Sequence, residues 1–277
     1  MKVLKTVKST TFYALLLFLA FIFLFPFAWM IISSLKSDVQ IFGYGASFLP
    51  NPVYWDNYPM AFQFAPLGRY YLNSLYVSCA VALAQVITSA MAAYVFAKLF
   101  FPFKNGIFLV YLGIMMIPSQ VTIIPLFILM RNMGLVDTYA SLILPFLAYP
   151  YGAFLLRQFF STIPVDLEDA ARIDGCSRMW ILAKIIIPLS KAAMITLAML
   201  SFLWNWNSFF WPLVVINTRS KYTLQLGIAM LRSEVTMTGN WGMLMAASVV
   251  TIVPILIFLV VAQKFIIKGI SLTGLKS

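Results

Sequence analysis

An all-α polytopic membrane protein with six transmembrane helices is the fold class this sequence predicts, and three observations carry that prediction. Hydrophobic residues make up 62% of the 277 and charged residues 10%, with a mean hydropathy of +0.94; soluble domains carry about 25% charged residues. Apolar runs of roughly 20 residues, the length that crosses a bilayer, recur six times. The charged side chains gather between those runs, with almost none inside them.

The first run, 11–32, follows Lys2, Lys5 and Lys8 and so begins like a signal peptide. It is longer than a signal core and passes through Phe25-Pro26-Phe27 without a small-x-small cleavage site, which predicts an uncleaved first span. The second is expected over 71–96 and the third over 106–130, where Pro118 and Pro125 should bend or loosen the helix by removing backbone bonds. The fourth is expected over 139–159, the fifth over 192–216 and the sixth over 241–265. The whole chain, 1–277, reads as one membrane domain, with a core over 70–265 and a water-soluble loop over 163–188.

Basic residues in the connections set the orientation. Lys2, Lys5, Lys8, Lys98, Lys104, Arg157, Arg172, Arg178, Lys184, Lys191, Lys264, Lys268 and Lys276 fall on one side, thirteen against six on the other: Lys36, Arg69, Arg131, Arg219, Lys221 and Arg232. The richer side is expected to be cytoplasmic, with both chain ends and the 163–188 loop. The net charge of +11 then describes topology and anionic lipid, not a nucleic-acid surface. Cys79 in a span and Cys176 in the loop do not suggest a disulfide.

The loop reads as two short helices around a turn. Pro164 suits a first helical position, and Asp166, Glu168 and Asp169 place negative charge at the positive end of the helix dipole. Arg172 sits near the close, Gly175 can take the left-handed conformation that ends a helix, Ser177 can cap the next, and Pro188 stops it. Leu167, Ala170 and Ala171 fall at i, i+3, i+4 and predict an apolar, small-residued face for a partner. A plain solvated connector accounts for the charges, but not for a glycine and a proline at these two offsets.

Asp169-Ala170-Ala171, Gly175 and Ile185-x-Ile187-Pro188 resemble, spacing for spacing, the Glu-Ala-Ala loop of the membrane subunits of ABC importers, closest to carbohydrate permeases of the maltose and glycerol-phosphate type. Two residues depart from that pattern, Asp169 for Glu and Ile187 for Leu. Other features follow the same family: Asn73-Ser74, Ala92-Ala93-Tyr94, Met116-Ile-Pro118, Ile124-Pro125, Gly134-Leu135, Thr138-Tyr139, Pro212-Leu213 after Trp206-Asn207, and the tail from Lys268-Gly269 to Gly274-x-Lys276. Ser208 stands where many relatives carry Glu.

The resemblance implies a type I ABC importer permease of MetI-like fold in a bacterial or archaeal cytoplasmic membrane. It implies a homologous second permease subunit, in a heterodimer, two ABC ATPase subunits and an extracytoplasmic solute-binding protein. The solute would be a carbohydrate, and ATP-Mg would sit on the ATPases, with no cofactor on this chain. Glu168, Asp169, Ala170, Ala171, Asp174, Gly175, Ile185 and Pro188 would couple it to the ATPases. Ala170 and Ala171 would set the depth of docking and Gly175 the angle between the two helices, while rigid fourth and fifth spans would carry the displacement onward. The tail, Lys268–Ser277, would also reach the ATPases. Two outer segments, 36–69 and 220–240, would help receive the binding protein.

What is missing agrees with that division of labour. There is no histidine, so imidazole acid–base work and the His-Glu-x-x-His zinc site are excluded, and no glycine is followed by lysine, as a phosphate-binding loop requires. The spans hold almost no ionised residue, whereas ion-coupled carriers and voltage sensors usually need intramembrane charge. An ion-coupled secondary transporter and a membrane scaffold recruiting a cytoplasmic partner are the competing readings. Trp204, Asn205, Asn207 and Ser208 in the fifth run, with Gln85 in the second and Gln120 in the third, are candidates for the translocation path. They serve equally as helix-to-helix hydrogen bonds and an aromatic belt.

Overall fold

A computed structural model describes residues 2–43 and 47–271, and among them there are helices and turns but no strand. In chain order the helices are α1 (Lys2–Ser34), α2 (Asp38–Phe42), α3 (Asn57–Phe64), α4 (Leu67–Lys98), α5 (Lys104–Gly113), α6 (Ser119–Asn132), α7 (Tyr139–Ile143) and α8 (Pro150–Phe160). They continue with α9 (Asp166–Ile173), α10 (Arg178–Ile181), α11 (Ile187–Leu189), α12 (Lys191–Trp206), α13 (Phe210–Val215), α14 (Leu224–Thr238) and α15 (Trp241–Ser271). The contact expected of the tail Lys268–Ser277 falls largely on 272–277, outside the described residues.

Three stretches cross a membrane length unbroken: Phe12–Ser34, Leu67–Lys98 and Trp241–Phe258. Three more are broken pairs, Lys104–Met116 with Ser119–Asn132 at 93°, Tyr139–Phe146 with Pro150–Phe160 at 44°, and Arg178–Leu189 with Lys191–Trp206 at 86°. With each pair taken as one span the total is the six expected.

The first two breaks coincide with prolines, Pro118 and Pro150. Pro118 pushes Ile117 into extended backbone (φ −79°, ψ 117°), whereas Pro125 sits inside an α6 that continues past it. The expected fifth span, 192–216, is corrected: α12 ends at Trp206. Asn205 and Asn207 turn their side-chain amides back onto the Ser201 and Leu203 carbonyls, and Pro212 has no N–H to offer the preceding turn. At 16 residues α12 is about 24 Å long, short of a hydrocarbon core of about 30 Å. The fourth and fifth spans are therefore not the continuous rigid rods that the resemblance implied.

The chain divides into two compact units, Met1–Gly68 with Gly227–Leu256, and Arg69–Leu226 with Ile257–Ser277. In the first unit the Phe12–Ser34 stretch of α1 is apolar nearly throughout, as a lipid-facing span is. The end of α1 is closed by Asn57, whose side-chain amide donates to the Ser34 and Lys36 carbonyls at 2.9 and 2.8 Å. Asp38 accepts from the Gly242 N–H at 3.1 Å, and a Cβ at Gly242 would lie 2.5 Å from both Asn57 Nδ2 and the Lys36 carbonyl oxygen.

In the second unit α4, α8, α9, α10 and α12 share one core, built from Ala90, Tyr94, Leu156, Phe160, Ile181, Leu197 and their neighbours. Gly152 of α8 sits closest to α4 and α12: a Cβ there would come within 2.5 Å of Ser89 Oγ and 2.9 Å of Leu197 Cδ1. Pro150 cannot donate to Phe146, and Gln85 Nε2 supplies the missing bond at 2.8 Å. Thr88 and Ser89 donate to the Leu147 and Tyr149 carbonyls in the same gap, at 2.6 and 3.2 Å. At the far end of α4, Asn73 donates to the Ser220 and Tyr222 carbonyls and accepts from Tyr139 Oη.

Candidate functional site

The 163–188 loop folds as two short helices and a turn. Pro164 lies two residues before α9, not at its first position, because Val165 already has helical backbone and its carbonyl accepts from the Glu168 and Asp169 N–H groups. Asp166, Glu168 and Asp169 occupy the first turn and Arg172 the last, where the dipole favours each. At the other end Gly175 adopts φ +79°, the Gly175 N–H donates to Arg172 O at 3.0 Å, and the Cys176 N–H to Ala171 O at 2.9 Å. That paired closure is a Schellman motif. Ser177 Oγ then accepts from the Trp180 N–H and starts α10. A π-helical turn, Leu182–Ile186, leads into α11, which ends at Leu189, one residue past Pro188.

The faces of α9 differ from the sequence expectation at one residue. Leu167 and Ala170 point outward, but Ala171 is only 6% exposed and belongs to the protein's own core. It cannot set the depth of a partner's docking by touching it. Asp169, Asp174 and Gly175 are exposed, Ile185 packs against the core, and Pro188 is exposed. Outward apolar surface comes from Val165, Leu167, Met179, Trp180 and above all Ile173, at 88% exposed. On a loop this polar, such a cluster calls for a cover.

Glu168 turns inward. Its Oε1 lies 3.0 Å from Lys98 Nζ, the two side chains being 9% and 5% exposed, in an ion pair without a well-aligned hydrogen bond. Oε2 accepts from Tyr94 Oη at 3.2 Å, and Lys98 Nζ also donates to the Ile163 carbonyl at 2.6 Å. A cavity of about 330 Å³ beside these groups is lined by Lys98, Glu168, Asp169, Arg172 and Arg178 among others.

The candidates for a translocation path separate into two groups. Gln85 is buried and both ends of its amide are used inside the protein, by Phe146 O and Ser201 Oγ. It splices a broken helix and is not free to meet a solute. Trp204, at 72% exposed, stands on the open face of α12, with Asn207 and Gln120 also exposed and Asn205 and Ser208 half-buried. Asn205 and Asn207 bond through their amide nitrogens to carbonyls four residues back, and among the described residues their amide oxygens have no hydrogen-bond donor.

A further node, missed from sequence, is Asp137 in the connection between α6 and α7. It has φ +59° and accepts from the N–H groups of Asn217 and Thr218, the Thr218 hydroxyl and Lys221 Nζ. Burial works against its charge, but these donors outweigh it and hold the carboxyl well below the usual carboxylate range. In the 36–69 segment Phe48 and Trp55 are exposed, whereas Asn57 is spent closing α1. Neither Lys98 nor Asp137 announces its partner in sequence, since each pairs across 70 or more positions.

Residues 85–272 match the family of binding-protein-dependent transport system inner membrane components. The chain is 36% identical over 262 residues to the arabinooligosaccharides transport system permease protein AraQ of Halalkalibacterium halodurans, covering 94% of this chain and 93% of the relative. It is 30% identical over 253 residues to the sn-glycerol-3-phosphate transport system permease protein UgpE of Yersinia pestis, covering 89% and 90%. It is 34% identical over 261 residues to the diacetylchitobiose uptake system permease protein NgcG of Streptomyces coelicolor, covering 94% and 86%. The fold is that of a chain in the crystal structure of a bacterial ABC transporter involved in the import of the acidic polysaccharide alginate, with a TM-score of 0.83 at 24% identity over 94% of this chain and 96% of that one.

Proposed function

The chain belongs to the binding-protein-dependent transport system inner membrane components, and from that premise we propose that it forms part of the membrane path for a carbohydrate and is driven through its 163–188 loop. It is a transport subunit of an ABC importer and not an enzyme. Such importers work with ATPase subunits and a solute-binding protein. The proposed assembly has a second, homologous permease beside this one, two ATPases on the cytoplasmic side and the binding protein on the other. ATP-Mg is held by the ATPases. Both termini and the loop face the cytoplasm, in keeping with thirteen of the nineteen basic residues on that side.

The observation that carries this reading is the outward face of the loop. Leu167, Ile173, Met179 and Trp180 are large apolar side chains exposed on two short helices held at a fixed angle by Gly175. A groove on an ATPase would cover them, helix in groove. Asp166, Asp169 and Asp174 rim the patch with negative charge for basic partners. Closure of the ATPases on ATP then drags the loop, and the bundle shifts between two packings.

Permeases of arabinooligosaccharide, glycerol phosphate and diacetylchitobiose systems resemble this chain along most of its length, which supports a sugar, oligosaccharide or polyol derivative as the solute. The exposed Trp204 with the side-chain amides of Asn205 and Asn207 beside it suits such a ligand, since indole faces pack on sugar rings and amides bond hydroxyls. Reconstitution of the full complex in liposomes tests the assignment. Uptake of a carbohydrate that needs ATP on the ATPase side supports it; uptake driven by an ion gradient without ATP overturns it.

A further inference from the structure

We infer that the ion pair between Lys98 and Glu168 is the joint through which movement of the loop enters the membrane, and that α4 is the rod that carries it. The inference deepens the coupling reading above and rests on it. Two spans are joined covalently to the loop, and both are poor levers: one is broken at 44° between Phe146 and Pro150, and the other meets the loop across an 86° bend at Ser190. The unbroken helix in the same compact unit is α4. It has no covalent link to the loop, so whatever it receives must pass through side chains.

Part of that contact is the shared apolar core, and its polar part is a small buried set. Tyr94 and Lys98 stand one turn apart at the last turns of α4, and both reach Glu168 in the first turn of α9. Lys98 adds a bond to the Ile163 carbonyl just before that helix. Lys104 Nζ closes the end of α4 by donating to the Ala97 and Leu99 carbonyls at 3.2 and 2.9 Å. A displaced α9 cannot leave α4 behind without separating two opposite charges away from water, which is strongly unfavourable. Glu168 is thereby assigned a role within the chain, not on the ATPase surface, and it is a positioning residue.

The other end of α4 is also tied. Asn73, 25 residues and about 37 Å of helix away from Lys98, holds the Ser220 and Tyr222 carbonyls and Tyr139, and Ser74 Oγ accepts from the Leu224 N–H at 2.7 Å. Between them Gln85, Thr88 and Ser89 grip the carbonyls of the broken fourth span. One rod therefore touches the loop, the break and the outer segments, so a shift at Glu168 reaches all three together.

The test compares solute molecules imported per ATP hydrolysed in liposomes holding the full complex. That ratio does not depend on how many complexes fold, because unfolded ones contribute to neither number. Glu168→Gln and Lys98→Met should each lower it by about tenfold, the size of a typical coupling between sites, while hydrolysis continues. Tyr94→Phe, which removes a hydroxyl alone, should lower it by a smaller factor and serves if a charge variant fails to assemble. The exchanged pair Lys98→Glu with Glu168→Lys should recover the ratio relative to either single exchange. An unchanged ratio in Tyr94→Phe and in every charge variant that assembles overturns the inference. Loss of ATP-driven uptake in the unaltered complex would instead sink the coupling reading beneath it, so the two failures are distinct.

Discussion

At Gly175 the backbone sits at φ +79°, and a Cβ placed there would meet nothing within 4 Å. The penalty for any other residue is thus conformational and not steric, about 1–2 kcal/mol for an L residue in the left-handed region. Gly175→Asn, which tolerates that region, should support near-normal uptake. Gly175→Arg, with the same backbone strain as other L residues and a long charged side chain beside the outward face of α9, should hydrolyse ATP without importing solute. Wild-type uptake in Gly175→Arg would remove Gly175 from the coupling mechanism. Asp137 makes a second prediction at this scale. Its carboxyl is held below the ordinary carboxylate range, so the folded state favours its charged form. The stability it lends is fully present above its unfolded value of about 3.9 and is lost as pH falls through the lower folded value. Thermal unfolding of the complex should show a difference between wild type and Asp137→Asn that is constant near neutral pH and shrinks in acid; a difference that grows in acid would contradict the assignment.

Helices in this chain approach one another through small residues and splice their breaks with borrowed amides. Gly152 is one such close contact, and Gly152→Ala should cost about 1–3 kcal/mol by overpacking against Ser89 and Leu197. Pairing it with Ser89→Gly should return part of that loss in a double-mutant cycle, measured by thermal unfolding in detergent; strict additivity would show that the two do not touch. The elements also divide by how far sequence could reach them. Apolar length revealed the long spans, and Gly175, Ser177 and Pro188 marked the loop because each requires a particular backbone state. Pro118 marked the 93° break. The end of α12 was not legible, because Asn205 and Asn207 could equally have bonded across helices as back onto their own. Nor was the inward turn of Glu168 and Ala171, since helical spacing identifies which residues share a face but not which face meets the core.

Across the whole molecule, the account is one of an unpowered membrane subunit moved from outside. The sequence has no histidine and no phosphate loop, its spans carry little charge, and its 163–188 loop exposes large apolar side chains, Ile173 above all. Trp204→Ala should weaken carbohydrate import while leaving complex assembly and ATP turnover intact, read by uptake alongside hydrolysis; loss of assembly would make Trp204 a packing residue instead. The central claim is that the outer face of α9 is gripped by the ATPase. With Cys79 and Cys176 replaced, a cysteine at Ile173, 88% exposed, should cross-link to an ATPase subunit in the assembled complex, in a yield that changes when ATP binds. An accessible cysteine there that labels from the cytoplasmic side yet yields no ATPase product in any nucleotide state would contradict it.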